Sequence, residues 1–187
     1  MAYGNIEIEI KLRLDDRQVE NVLSNIKTKA TQKGESKQKD TYFVPIDDNY
    51  LEEKFPYKWL SIRERGENKI LNFKHFYPEG EEKHLYGKEY EVKIDNIDNL
   101  VLIFDELKIK NIVTVEKSRI IYQYEDLYEI TIDNVVGLGY FMEVEALKEL
   151  GTPEETKCLL IEFVKSLGIE QLNIDYRGYP FLLLNKG

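Results

Sequence analysis

Asn5-Ile6-Glu7-Ile8-Glu9-Ile10-Lys11-Leu12-Arg13-Leu14 alternates without a break: charged side chains at odd positions from Glu7 to Arg13, apolar ones at even positions from Ile6 to Leu14. In a β-strand the side-chain period is two, so Glu7, Glu9, Lys11 and Arg13 share one face. The wet face of an ordinary half-buried strand is a mixture of polar residues. This one carries an ordered row, acid-acid-base-base. Two carboxylates two residues apart can grip a divalent cation, and the adjacent cations can grip phosphate.

The same pattern returns along the chain. Glu89 with Glu91, Glu129 with Asp133, and Glu143 with Glu145 are acidic pairs whose spacing puts both members on one strand face. Lys11 with Arg13, Arg63 with Arg65, and Lys117 with Arg119 are the basic counterparts, and Lys74 stands alone on its strand. Strands are expected at 40–44, 59–65, 69–74, 88–94, 112–124, 128–135 and 139–147, with turns at Gly66-Glu67-Asn68 and Val136-Gly137-Leu138-Gly139. Helical spacing predicts helices over 15–29, where Val19, Val22, Leu23 and Ile26 recur, and over about 97–107. A third begins at Thr152-Pro153-Glu154-Glu155 and ends at Gly168, burying Leu159, Leu160, Phe163, Val164 and Leu167. Residues 33–39, 47–56 and 78–87 read as polar loops, and 175–186 as a short helical or irregular tail.

Short turns between consecutive strands imply antiparallel pairing. Strands with one charged and one apolar face need a wet interior and a covered exterior. The expected fold is therefore α+β, in a single domain over residues 1–187. Its core is an antiparallel, closed or nearly closed β-barrel, a tunnel with a polar lumen and helices packed on the outside.

Composition narrows the function. The 187 residues are 42% apolar and 33% charged, with 35 acidic against 26 basic residues and a net charge of −9. That surface argues against nucleic-acid binding, which needs a basic excess. The one cysteine, Cys158, allows no internal disulfide, fits a reducing cytoplasm and reads as a buried small hydrophobe. Met1 to Asn5 show no leader pattern, and no apolar run is long enough for a membrane helix. Two histidines, His75 and His84, make a His/Cys zinc site a poor expectation, and His75 is expected to hydrogen-bond at a rim. No Ser, Cys or His is placed for covalent catalysis, so direct displacement is the simpler chemistry.

Taken in order, these motifs resemble the CYTH superfamily, the triphosphate tunnel metalloenzymes. Glu7-Ile8-Glu9-Ile10-Lys11 matches the E-x-E-x-K signature. Asp40-Thr41-Tyr42-Phe43, Ile62-Arg63-Glu64-Arg65, Phe73-Lys74, Glu89-Tyr90-Glu91, Val115-Glu116-Lys117-Ser118-Arg119 and the hairpin from Ile132-Asp133 to Glu143-Val144-Glu145 follow in the family's sequence. Two departures stand out. His75-Phe76 replaces the usual Gly-Pro after the lysine, and the tail carries only Asp175-Tyr176-Arg177 with Leu182-Leu183 further on.

The resemblance implies that Glu7, Glu9, Asp133, Glu143 and Glu145 bind Mg²⁺ or Mn²⁺. It implies that Lys11, Arg63, Arg65, Lys74, Lys117 and Arg119 bind phosphate, with Arg177 a further candidate. Glu9, Lys11, Arg63 and Lys117 are the catalytic candidates among them, and Glu89 and Glu91 can hold a second metal or orient the bases. The layout is most similar to the class IV adenylyl cyclase branch, which converts ATP to cyclic AMP and pyrophosphate. The alternative is hydrolysis of a triphosphate: tripolyphosphate, thiamine triphosphate or a nucleoside triphosphate. Ranked lower is a non-catalytic module that binds polyphosphate or nucleotide. The expectation is completed by a cytoplasmic protein without a membrane partner, for which a homodimer through apolar strand faces is one option.

Overall fold

The structure, a computed structural model, describes residues 6–169 and 171–186. Met1 to Asn5, read above for a leader, lie outside the described residues. Nine strands and four helices occur among the described residues: β1 (Ile6–Glu7), β2 (Glu9–Leu14), α1 (Asp16–Lys29), β3 (Thr31–Pro45), β4 (Lys58–Arg65), β5 (Asn68–Tyr77), β6 (Tyr86–Lys93), α2 (Ile97–Glu106), β7 (Ile109–Tyr124), β8 (Tyr128–Val135), β9 (Gly139–Ala146), α3 (Pro153–Ser166) and α4 (Tyr179–Leu184). The sheet order is β1-β6-β5-β4-β3-β7-β8-β9-β2. It starts and ends on strands that Ile8 alone separates in the chain, which is the strand order of a nearly closed antiparallel barrel. The α+β class holds.

The chain divides into two compact units, Met1–Ser36 with Ser118–Tyr176 and Lys37–Lys117 with Arg177–Gly187. In the first, β2 pairs antiparallel with β9, and β9 with β8. Register places Ile10 opposite Val144 and Leu12 opposite Met142, and the same two β9 residues face Ile130 and Ile132 on β8. All six are buried, so one face of this sheet is continuous hydrocarbon. Each such side chain contributes about 1.5–3 kcal/mol on burial. α1 adds Val19, Val22 and Ile26, and α3, which packs on β2 and β9, adds Leu160, Phe163 and Val164.

Local signals set the helix ends. Asp15 accepts hydrogen bonds from Arg17 N and Gln18 N, closing a capping box on α1. Thr152 and Glu155 do the same for α3, with Pro153 in its first turn. α3 stops before Gly168, whose φ of +84° is left-handed backbone that a side chain would strain.

The second unit pairs β3 with β4, β4 with β5 and β5 with β6, all antiparallel. Phe43, Ile62 and Phe104 form its buried cluster, with Leu60, Leu71, Ile97, Leu100 and Val101 packed around them. α2 thus covers the apolar face. Phe43 and Phe104 meet edge-on, ring centres 5.0 Å apart.

Three expectations are corrected. Residues 33–39, expected as a loop, belong to the fifteen-residue β3. Ladder bonding, not a hydrophobic alternation, makes them a strand: the span is Lys-Gly-Glu-Ser-Lys-Gln-Lys and most of it is exposed. Cys158 is exposed, and Leu159 is 38% exposed, because the buried face of α3 runs through Thr156, Lys157, Leu160, Phe163 and Val164. The 78–87 loop is shorter than expected, since Tyr86 and Gly87 already belong to β6.

Phe104→Ala is expected to cost about 3–5 kcal/mol, as for other buried aromatic truncations. A urea unfolding curve with an unchanged slope and a lowered midpoint checks it.

Candidate active site

In the first unit, the face opposite the hydrocarbon carries three cross-strand rows over β2, β9 and β8. Register aligns Glu9, Glu145 and Glu129; then Lys11, Glu143 and Thr131; then Arg13, Phe141 and Asp133. Residues directly opposite one another share a face and lie within side-chain reach. Arg119 of β7 enters the same group. Its Nε donates to Asp133 Oδ1 at 2.7 Å, and its Nη2 donates to Asp133 Oδ2 at 2.6 Å and to Glu143 Oε2. Asp133 is 1% exposed, so this two-pronged pairing is what makes its burial affordable.

Glu129 was read as an acidic partner of Asp133 but not as a site residue, yet it completes the carboxylate row. Burial pushes its carboxyl above the ordinary range, Arg119 opposes that, and Glu143 adds to it. Lys157 was missed altogether. It sits on the buried stripe of α3, where burial brings its amine down to about 8 while the charge of Glu9 pulls the other way. Its Nζ lies 5.0 Å from the ring centre of Tyr176. The sequence signal was a lysine at the helical position about two turns before Phe163 and Val164. Arg13, at the end of the β2 row, donates from Nη2 to Leu138 O at 3.0 Å and rests 5.7 Å from the Phe141 ring.

In the second unit, the face opposite α2 carries Asp40 and Tyr42 of β3, Trp59, Ser61, Arg63 and Arg65 of β4, Asn72 and Lys74 of β5, and Glu89 and Glu91 of β6. Arg63 pairs with Glu89 at 2.8 Å and Glu91 at 3.0 Å. Burial works against its charge, but Glu89, Tyr42, Asp40 and Glu91 together outweigh that and hold the guanidinium above its ordinary value. Arg65 pairs with the buried Asp40. Asn72 Nδ2 donates to Glu89 at 2.6 Å. Lys74 lies 5.1 Å from the Phe76 ring and stands opposite Glu89 in register. Gly87 leaves the room it needs: a Cβ there would come within 3.1 Å of Lys74 Cε. Lys117, 7% exposed, has its Nζ 5.1 Å from the Tyr179 ring. Asp40 and Asn72 were not expected at the site, although both fall in the period-two rows of Tyr42 and Lys74.

The expected residues therefore fall into two groups. Glu9, Lys11, Arg119, Asp133, Glu143 and Glu145 come together in the first unit, and Arg63, Arg65 and Lys74 share one face in the second. Glu7 is half-buried on the two-residue β1, and Arg177 is exposed. His75 Nε2 lies 2.9 Å from Glu79 Oε1, and its Nδ1 lies 3.3 Å from the Tyr77 hydroxyl. The carboxylate oxygens of the first unit are the donor class that Mg²⁺ and Mn²⁺ prefer. Among the described residues no three acidic, histidine or cysteine side chains converge as a ligating set; Asp133 and Glu143 point to Arg119 instead.

Comparison with known proteins adds an independent line. The family profile described as the CYTH domain matches residues 5–179. A Methanocaldococcus jannaschii protein named "Putative adenylate cyclase MJ0240" is 32% identical over 176 residues, 93% of this chain and 96% of that protein. The solved PH1819 protein of Pyrococcus horikoshii superposes with a TM-score of 0.79 at 26% identity, covering 97% of this chain and 99% of that one. The solved HpAC1 protein of Hippeastrum shares the fold, with a TM-score of 0.63 at 18% identity over 92% of this chain and 90% of its own.

Arg119→Met is expected to destabilise the protein by about 3–5 kcal/mol, because it strands a buried carboxylate; chemical denaturation measures it. Lys157→Met is expected to raise the melting temperature at pH 7. The folded state holds Lys157 at about 8 against an ordinary 10.5. The unfolded chain therefore binds more protons between those values, and wild-type stability rises with pH across that window. The gap between variant and wild type should close toward pH 10, which thermal melts across the pH series will read.

Proposed function

Since the chain belongs to the CYTH family, we propose that it is a divalent-metal-dependent enzyme acting on a triphosphate, with residues 1–187 working as one catalytic domain and ATP cyclisation as its reaction. What supports the reading is the register that aligns Glu9 with Glu145 and Lys11 with Glu143 on one strand face, beside Arg119. In this reading Glu7, Glu9, Asp133, Glu143 and Glu145 hold Mg²⁺ or Mn²⁺, and Glu129 reinforces the row. When bound, the ion supplies positive charge against the phosphate oxygens.

Lys11, Arg63, Arg65, Lys74, Lys117 and Arg119 neutralise the triphosphate, and Arg177 extends the set. Arg63 and Arg119 exchange a carboxylate oxygen for a phosphate oxygen on binding, a swap between acceptors that suits a guanidinium fork equally. The ribose 3′-oxygen then attacks the α-phosphorus and pyrophosphate leaves. The protein's share of the catalysis is positioning and charge stabilisation.

A second reading uses the same residues for hydrolysis at the terminal phosphorus, and it is favoured by the charged character of every residue given a role: all bind phosphate or metal, none a base. The name cyclase does not decide between them, for HpAC1 of Hippeastrum carries that name together with a dominant triphosphatase activity. No helix among the described residues is long and apolar enough to cross a membrane.

Incubation with ATP, tripolyphosphate or thiamine triphosphate, each with Mg²⁺ or Mn²⁺, separates the readings. Cyclic AMP with pyrophosphate is the expected outcome, and orthophosphate release would move the assignment to hydrolysis. Glu9→Gln is expected to lower metal-dependent turnover by a factor of about 10² or more with an unchanged circular-dichroism spectrum; a fully active variant would remove Glu9 from the metal site.

A further inference from the structure

The tail adds a member to the charged rows of the first unit. Residues 173–175 run antiparallel along the edge of β2 away from β9. Arg13 N donates to Asn173 O at 3.0 Å, Asp175 N donates to Lys11 O at 2.8 Å, and Leu12 bridges Ile174. That pattern sets Asn173 opposite Arg13 and Asp175 opposite Lys11, with about 5.5 Å between paired Cα atoms. Side chains directly opposite one another share a face, so Asp175 joins the row of Lys11, Glu143 and Thr131.

The row then reads acid, base, acid, with Lys11 in the middle. Glu143, on one side of it, accepts from Arg119 Nη2. Asp175 is the carboxylate on the other side. Lys11 and Asp175 are both half-buried, so water screens their charges only in part. One same-face step along β2, about 6.6 Å from Lys11, Arg13 and Asn173 line a cavity of about 860 Å³ with Tyr140 and Gln171. The tail side of the rows thus opens onto space that a ligand can enter. A lysine ammonium is a compact charge on a flexible stem, so a carboxylate and a phosphate oxygen compete for it directly. A carboxylate held opposite that ammonium also repels any anion that arrives.

We propose that Asp175 sets the affinity of the site: its carboxylate is the resting counter-ion of Lys11, and a triphosphate must displace it in order to bind. The tail strand then weakens anion binding at Lys11 and helps a polyphosphate product to leave. This rests on the triphosphate reading above and deepens it by naming a residue that opposes substrate rather than holding it.

Calorimetry with tripolyphosphate and with pyrophosphate, at fixed Mg²⁺, tests the proposal. Asp175→Asn removes the charge and keeps both backbone bonds of the tail. It should tighten both anions by about tenfold, the effect of one partly screened unit charge. Asp175→Glu keeps the charge and should stay within about twofold of wild type, as should Asn173→Ala, which alters the same bridge without a charge. In a Lys11→Met background the gain from Asp175→Asn should fall to about threefold or less, since only residual repulsion remains. Unchanged or weaker binding by Asp175→Asn overturns the proposal; weakening is what a metal ligand at this position, or a loosened tail, would give. An equal gain from Asn173→Ala, or an undiminished gain with Lys11 absent, overturns it too. Tripolyphosphate binding with these gains but without turnover of any triphosphate would remove the catalytic reading and leave this one standing. A wild-type protein that binds no triphosphate would remove both.

Discussion

A slip of one residue between β2 and β9 would bring Glu9, Lys11 and Arg13 onto the face now lined by Ile10, Leu12 and Leu14. Register is the constraint on which everything else rests. It is enforced by the hydrocarbon side, where Ile10, Val144 and Ile130 form one buried row and Leu12, Met142 and Ile132 the next. Burying six such side chains outweighs any gain that a shifted ladder could offer, since a shift would bury carboxylates without partners. The charged face is therefore specified indirectly. Its geometry is what remains once the apolar face has been satisfied.

The charged faces then face their own problem, because like charges in neighbouring rows repel. Both units solve it by interleaving acid with base. Arg119 lies between Asp133 and Glu143, and Arg63 between Glu89 and Glu91. Asp40 holds Arg65. Such pairs add little net stability compared with hydrophobic replacements, because desolvation offsets most of the attraction. What they provide is a set of preorganised guanidinium forks whose carboxylate partners can be traded for other oxygens without rearranging the strand that carries them. A rigid charged face of this kind suits chemistry that consists mainly of neutralising and orienting a polyanion.

Most of this was legible in the sequence, because alternation in strands and caps on helices are local signals. The run from Glu9 to Arg13, the Arg63–Arg65 pair and the Glu143–Glu145 pair were each placed on one face by period alone. The capping motifs at Asp15 and Thr152 gave helix starts that the structure keeps. What stayed hidden depends on partners distant in the chain. Residues 33–39 carry no apolar alternation, so their strand exists because a neighbouring ladder recruits them. Cys158 and Leu159 were assigned to the core since the stripe of α3 was centred about one residue too far along. Glu129 joins the carboxylate row only through its register with Glu145. The division of the site residues between two contact units has no sequence signature either, for β3 and β7 contribute residues to both.

Lys157 shows how the two faces of the first unit are linked. A lysine on the buried stripe of a helix is a local conflict, and such conflicts in a stable fold tend to sit where function compensates them. Here two features compensate: the charge of Glu9, and the ring of Tyr176 at 5.0 Å. Leucine or methionine at 157 would pack as well and cost less, so packing alone does not account for the residue. Its coupling to Glu9 ties the outer helix α3 to the first carboxylate row of the sheet.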